Sequence, residues 1–188
     1  MPKKPKATAP SDDERRNNYK QREFLSAVYD DLAKSLALLT HDSNCIHYRD
    51  SVGETAFHYL IIEGELERAE VLLEWGADVN TQCDFGATPL IHAVQLGRFE
   101  IVEWLVENGA SLEFKDSIGA TALSAATGDG KRKASIFQFL ISKPRANPID
   151  FYYDDDAAED VFRNPDLVMR QRLIDLGLSR RRDPEDFA

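Results

Sequence analysis

His41, Cys45 and His47 crowd into one short stretch, and the only other cysteine, Cys83, stands well downstream. Imidazole and thiolate are ligands that zinc prefers, but the spacing H-x₃-C-x-H matches no paired-ligand pattern of a tetrahedral site. The run Asp154-Asp155-Asp156, with Glu159 and Asp160, offers hard oxygen ligands. It lacks the glycine and the ligand alternation of a calcium loop and reads as the solvated start of a helix. A metal-dependent enzyme would have to draw on one of these two groups. No G-x-S-x-G turn, phosphate-cradling glycine loop, dinucleotide fingerprint or H-E-x-x-H helix occurs. The chain therefore shows no carrier for catalysis, and neither an enzyme activity, a cofactor, a metal nor a small-molecule substrate is expected.

The informative feature is regularity. Gly53, Gly86 and Gly119 stand 33 positions apart and open the phrases Gly53-Glu-Thr-Ala-Phe-His, Gly86-Ala-Thr-Pro-Leu-Ile and Gly119-Ala-Thr-Ala-Leu-Ser. After the first two phrases the pattern predicts a short helix (about 55–63 and 88–96), a break at Gly64 or Gly97, and a longer helix. The longer helices close at Gly76 and Gly109, where a left-handed residue past the helix end suits glycine. Val71, Leu72, Ile101, Val102, Leu105 and Val106 form the expected buried stripe. Glu67, Glu70 and Glu74 recur as Glu100, Glu103 and Glu107, so an acidic row lies on the outer face of both helices.

A 33-residue period with Thr55, Thr88 and Thr121 two places after each glycine resembles the ankyrin repeat, a β-turn followed by two antiparallel helices. The resemblance implies an all-α solenoid that binds rather than catalyses. It also implies that these threonines cap the shorter helices and that His58 has a structural role in tying loops together. His92 sits one place late for that role, and Ser124 occupies the position in the next unit. Ankyrin domains generally recognise partners with the turn tips and the concave face of the shorter helices. Carried onto this chain, the tips are Ser51, Val52 and Glu54; Asp84, Phe85 and Ala87; and Ser117, Ile118 and Ala120. The concave positions are Ile62 and Glu63; Gln95 and Leu96; and Gly128 and Asp129. Val52, Phe85 and Ile118 share one phase of the repeat and form an apolar ridge edged by acids, unless they pack on one another along the row of turns. Phe85 is the expected anchor, because aromatic side chains carry much of the energy of an interface.

The organisation follows from the period. Residues 1–17 read as a disordered basic leader, and a repeat domain spans 18–178, with helical periodicity from Asn18 and a break near Asp30-Asp31. About five units are expected, at 20–49, 50–82, 83–115, 116–148 and 155–178, the first and last being degenerate caps that face water on one side. In the fourth unit Ile136-Phe137 and Leu140-Ile141 come two residues late, which predicts an insertion and a longer basic loop at Lys131-Arg132-Lys133. Residues 145–154 form an irregular connection. Asn164-Pro165-Asp166 and Gly177 then mark the ends of a last helix, and 179–188 is a charged tail.

At 188 residues with a net charge of −10, the chain is acidic but unevenly so. Residues 50–116 hold fourteen acids against three Lys or Arg. Such a surface repels phosphate backbones and attracts basic proteins. Two isolated cysteines argue for free thiols in a reducing compartment. The basic opening Met1-Pro-Lys-Lys-Pro-Lys runs into polar residues, and no run of about 18 apolar residues occurs. A soluble cytoplasmic monomer is expected, with nuclear import through Lys3-Lys4-Pro5-Lys6 as the alternative address. The functional expectation is a non-catalytic module that binds, and inhibits or scaffolds, a basic protein partner, as an immunity or antitoxin-type protein would. The alternative is a nucleic-acid-associated adaptor that uses the basic termini, including Arg180-Arg181-Arg182, while its acidic body recruits protein.

Overall fold

The computed structural model describes residues 12–127 and 131–143. Among them are eight α-helices, one 3₁₀ turn and no strand. The chain divides after Asp78 into two compact units. The expected fifth unit at 155–178, the connection before it, the tail, the Asp154–Asp156 run, Gly128 and Asp129 all lie outside the described residues.

The first unit contains α1 (Asp12–Asp30), α2 (Leu32–His41), a 3₁₀ turn (Cys45–His47), α3 (Ala56–Glu63) and α4 (Leu66–Glu74). α1 begins at Asp12, inside the stretch expected to be a disordered leader. Its opening residues, Asp-Asp-Glu-Arg-Arg-Asn-Asn, are all polar, so no apolar period reveals them, and none is a proline or glycine that would stop a helix. The break at Asp30-Asp31 is a helix cap. The Asp31 carboxylate accepts from the Ala33 and Lys34 amides at 2.9 and 3.2 Å, satisfying donors that the first turn of α2 leaves open. The last turn of α1 has no basic residue of its own. Arg68 of α4 supplies one, donating to the Val28 and Tyr29 carbonyls at 3.2 and 3.1 Å and to Glu65 at 2.7 Å. A cation is thus set against the negative end of α1. Phe24 and Val28 of α1, Phe57, Leu60 and Ile61 of α3, and Leu72 of α4 are the buried body of this unit. Each such side chain contributes roughly 1.5–3 kcal/mol on leaving water.

The second unit contains α5 (Pro89–Gln95), α6 (Phe99–Glu107), α7 (Ala122–Ala125) and α8 (Lys131–Ile141). α5 packs on α6 and α7, and α8 packs on α6 and α7. Pro89 opens α5 at the position where its missing N–H costs nothing. The Lys131–Lys133 segment is the first turn of α8, not the basic loop that the late apolar pairs suggest. Residues 131–141 contain no glycine or proline to hold a loop open, and Ile136, Phe137, Leu140 and Ile141 are all buried. Phe139 meets Phe99 edge to face at 5.6 Å, joining α8 to α6.

Gly76 and Gly109 adopt positive φ, as their positions after α4 and α6 require. The Ala77 amide donates to Leu72 O and the Ala110 amide to Leu105 O, each at 2.9 Å, closing both helices in the same way. Leu72, Ile101, Val102 and Leu105 are buried, but Val71 and Val106 of the expected stripe are only half-buried. The extra depth comes instead from Ala69, which is fully buried at the repeat position of Val102. Among the described residues, no helix is long and apolar enough to cross a membrane.

Candidate interaction surface

Each turn is built from a backbone pair that recurs at the repeat period. The Asp50, Cys83 and Asp116 amides donate to Glu54, Ala87 and Ala120 carbonyls at 2.9, 3.0 and 2.9 Å. The Gly53, Gly86 and Gly119 amides return to the Asp50, Cys83 and Asp116 carbonyls at 3.1, 2.9 and 2.9 Å. In the first turn Asp50 Oδ1 accepts from the Val52 and Glu54 amides, both at 2.9 Å, and Asp50 Oδ2 takes the Tyr59 hydroxyl at 2.8 Å. In the third, Asp116 Oδ1 accepts from the Ile118 and Ala120 amides at 3.0 and 2.8 Å. These two aspartates fix the turns that display the candidate contacts, and neither was among the residues singled out from the sequence. The signal was present, since Asp50-Ser-Val-Gly53 and Asp116-Ser-Ile-Gly119 are the same phrase and aspartate at the head of a turn bonds amides two residues on.

Cys83 stands where these aspartates do, and the middle turn is held by side-chain amide bonds. Gln82 Nε2 donates to the Gly86 carbonyl at 2.8 Å and to the Lys115 carbonyl at 3.4 Å. Arg49, one period earlier, donates in the same way to the Gly53 carbonyl at 2.9 Å. The Ser117 amide donates to the Phe85 carbonyl at 2.7 Å, tying the second and third turns to each other. Glycine is strongly favoured at position 86 of this junction. Its φ is +74°, and a Cβ there would meet Asp116 Cα at 3.0 Å and Lys115 O at 3.1 Å.

The threonines cap the shorter helices. Thr88 Oγ1 accepts from the Ile91 amide at 3.3 Å, and Thr121 and Ser124 form a reciprocal capping box. His58 is fully buried. Its Nδ1 accepts from the Thr55 amide at 3.2 Å and lies 3.1 Å from Thr55 Oγ1, which places the ring proton on Nε2 and makes this imidazole a structural bridge. His92 is half-buried at the end of α5, and burial pushes it below the ordinary imidazole range.

The expected contacts fall into three groups. In the second unit Phe85 is 60 % and Ile118 87 % exposed, Leu96 at the end of α5 is 48 % exposed, and Asp84 and Gln95 are exposed beside them in sequence. In the first unit Val52, Glu54 and Ile62 are half-buried, and Glu63, though exposed, accepts the Tyr29 hydroxyl at 2.6 Å. Burial first, and then this bond to Glu63, raise the Tyr29 phenol far above its ordinary range. Burial, helped by Asp50, raises the Glu54 carboxyl. Ala87 is buried and cannot serve as a tip contact; it directly precedes Thr88, the buried cap of α5. Asp129 is outside the described residues. The acidic row is displayed as expected at Glu67, Glu70, Glu74, Glu100 and Glu107, while Glu103 is half-buried.

His41 and His47 are exposed and Cys45 is buried. Among the described residues, no group of three or more His, Cys, Asp or Glu is arranged to hold a metal ion. Burial, aided by Asp42, pushes the Cys45 thiol up to about 11, which makes it a poor nucleophile. Cys45 and Cys83 are both free.

Paired helices joined by left-handed glycines, with fixed turns at a 33-residue interval, define a helical repeat array. Residues 24–116 match the family model of ankyrin repeats in three copies, and the chain belongs to the ankyrin-repeat family. The third turn, Asp116–Gly119, lies at and beyond the end of that match but repeats its backbone bonds. No curated protein matches the chain. Ankyrin repeats generally mediate protein–protein interaction and are generally non-catalytic.

Proposed function

We propose that the chain is a binding module that grips a protein with a basic surface and, by occupying it, neutralises or scaffolds that partner in the cytoplasm. The proposed contacts are Asp84, Phe85, Ile118, Gln95 and Leu96 in the second unit and, at the corresponding positions of the first unit, Val52, Glu54, Ile62 and Glu63. The observation that carries this reading is the exposure of Phe85 and Ile118 on turns joined by the Ser117–Phe85 backbone bond. Large apolar side chains held on rigid backbone lose little entropy when a partner covers them, so they make efficient anchors. The surrounding acids supply sign selectivity, with fourteen against three basic residues over 50–116.

The test is affinity capture with the intact chain, followed by binding measurements on whatever protein is retained. Phe85→Ala should weaken the complex by about 2 kcal/mol, near thirtyfold in Kd. Ile118→Ala should also weaken it, by a smaller factor. A retained partner that is acidic, or whose affinity ignores both substitutions, would sink this reading; retention of nucleic acid alone would favour the adaptor.

A further inference from the structure

The repeated turns share their backbone bonds but not their side-chain acceptors. In the first, Asp50 Oδ1 takes the Val52 amide at 2.9 Å, and in the third Asp116 Oδ1 takes the Ile118 amide at 3.0 Å. Phe85 holds this position in the second turn, where Cys83 stands in place of the aspartate. The Phe85 N–H has no acceptor among the described residues, although the Phe85 carbonyl is engaged by the Ser117 amide at 2.7 Å. The turn that carries this open donor is not slack. Gly86 sits close against the Asp116 backbone, and its carbonyl takes the Gln82 side chain at 2.8 Å. A backbone donor is thus fixed beside an aromatic side chain that is itself exposed.

We propose that the second turn selects the partner through this donor: the protein that covers Phe85 brings a main-chain carbonyl to the Phe85 N–H. The inference rests on the reading of the turn tips as the contact surface. In the free chain the amide is open to water. A partner that buries the ring strips that water away, and a buried donor left without an acceptor keeps its full desolvation penalty. The first and third turns make no such demand, because Asp50 and Asp116 already fill the equivalent amides. An apolar cleft that lacks an acceptor is therefore rejected at the second turn. Charge decides which acceptor fits. Lys and Arg side chains are donors only, so the cations of a basic surface cannot supply it. A carboxylate would enter the field of fourteen acids against three bases over 50–116. A neutral oxygen remains, and the main-chain carbonyl is the one that each residue of a partner carries.

Amide hydrogen exchange on the full chain, alone and with the protein retained in the capture experiment, tests the proposal, using Cys83→Asn and Cys83→Ala. In the free chain the Phe85 N–H, relative to its intrinsic rate, should exchange about tenfold faster than those of Val52 and Ile118; in the complex it should slow by a similar factor. Cys83→Asn places an oxygen where the sister turns have theirs, without adding charge. It should protect the Phe85 N–H in the free chain and raise the partner's Kd about tenfold, because the partner's carbonyl then loses its donor. Cys83→Ala supplies no acceptor and should change neither. If Cys83→Asn disturbs the turns, seen as lost protection at Ile118, the wild-type comparison still decides. A Phe85 N–H as protected as that of Ile118 in the free chain overturns the proposal. So does one that stays unprotected in a complex that Phe85→Ala weakens, and there the reading of the tips survives. If no protein is retained, or Phe85→Ala has no effect, that reading fails and the proposal falls with it.

Discussion

Gly86 and Gly119 occupy the same place in successive turns and have nearly the same φ, +74° and +84°, yet their surroundings differ. A Cβ on Gly119 meets nothing within 4 Å, whereas one on Gly86 strikes the backbone at Asp116 and Lys115. Gly119→Ala should therefore cost only the left-handed strain, roughly 1–2 kcal/mol. Gly86→Ala should cost clearly more, about 3 kcal/mol or above, because backbone cannot swing aside as a side-chain tip can. Equal losses in denaturant titrations would show that the turns are not seated as described. Thr88→Ala, which removes the cap on the Ile91 amide, should cost about 1 kcal/mol. The glycines and threonines were legible in the sequence because each is demanded by local geometry at a fixed interval. Asp50 and Asp116 were legible in principle, but Cys83 breaks their series in the middle turn, so the period that exposed the glycines concealed the aspartates.

At the scale of the helix, sequence reading succeeded where a helix buries a stripe or ends on glycine. It failed at the start of α1 and of α8, since polar and basic turns carry no apolar period. Leu72 and Leu105 are fully buried one period apart, and Leu→Ala at either should cost roughly 2–5 kcal/mol. Arg68→Ala should cost about 1–3 kcal/mol, because it removes a donor to the carbonyl of Val28, a fully buried residue. The loop after α2 is held to α1 by Lys20 Nζ, which donates to Asp42 and to Tyr48 at 3.1 and 3.0 Å, and by the Tyr48 hydroxyl, which donates to Asp42 at 2.6 Å. The Tyr48 bond first, and then Lys20, hold the Asp42 carboxyl below its ordinary range. Its contribution is thus complete above that range and is lost as pH falls through the folded value. Glu54 has the opposite sign. Its carboxyl is raised, so its contribution is complete below the ordinary range and is lost as pH rises through the folded value. Glu54→Gln should therefore melt higher than the wild type at neutral pH, with the gain vanishing below about pH 4. Asp42→Asn should melt lower at neutral pH and converge with the wild type in acid; melting curves at the two pH values separate these outcomes.

At the scale of the whole chain, the period runs without interruption from Gly53 to Gly86, so nothing in the sequence marks the division after Asp78. Charge, by contrast, is legible directly, and it makes a kinetic demand. Glu70 in α4 and Glu107 at the end of α6 are both exposed. Reversing either leaves the fold intact, and Glu107→Lys even suits the negative end of its helix. Suppose a basic partner seats on the turn tips and these acids act only through their field. Then Glu70→Lys and Glu107→Lys should slow association several-fold at low salt, leave dissociation unchanged, and lose their effect once the screening length falls below about 10 Å. If the partner instead seats on the outer acidic row, the same reversals should speed dissociation at every salt concentration, and Phe85→Ala should do little. Stopped-flow association and chase-dissociation rates for the three variants, at low and moderate salt, decide between the two faces. The tips are favoured because Phe85 and Ile118 are large apolar side chains left 60 % and 87 % exposed, whereas exposed glutamates on an outer helix face are already satisfied by water.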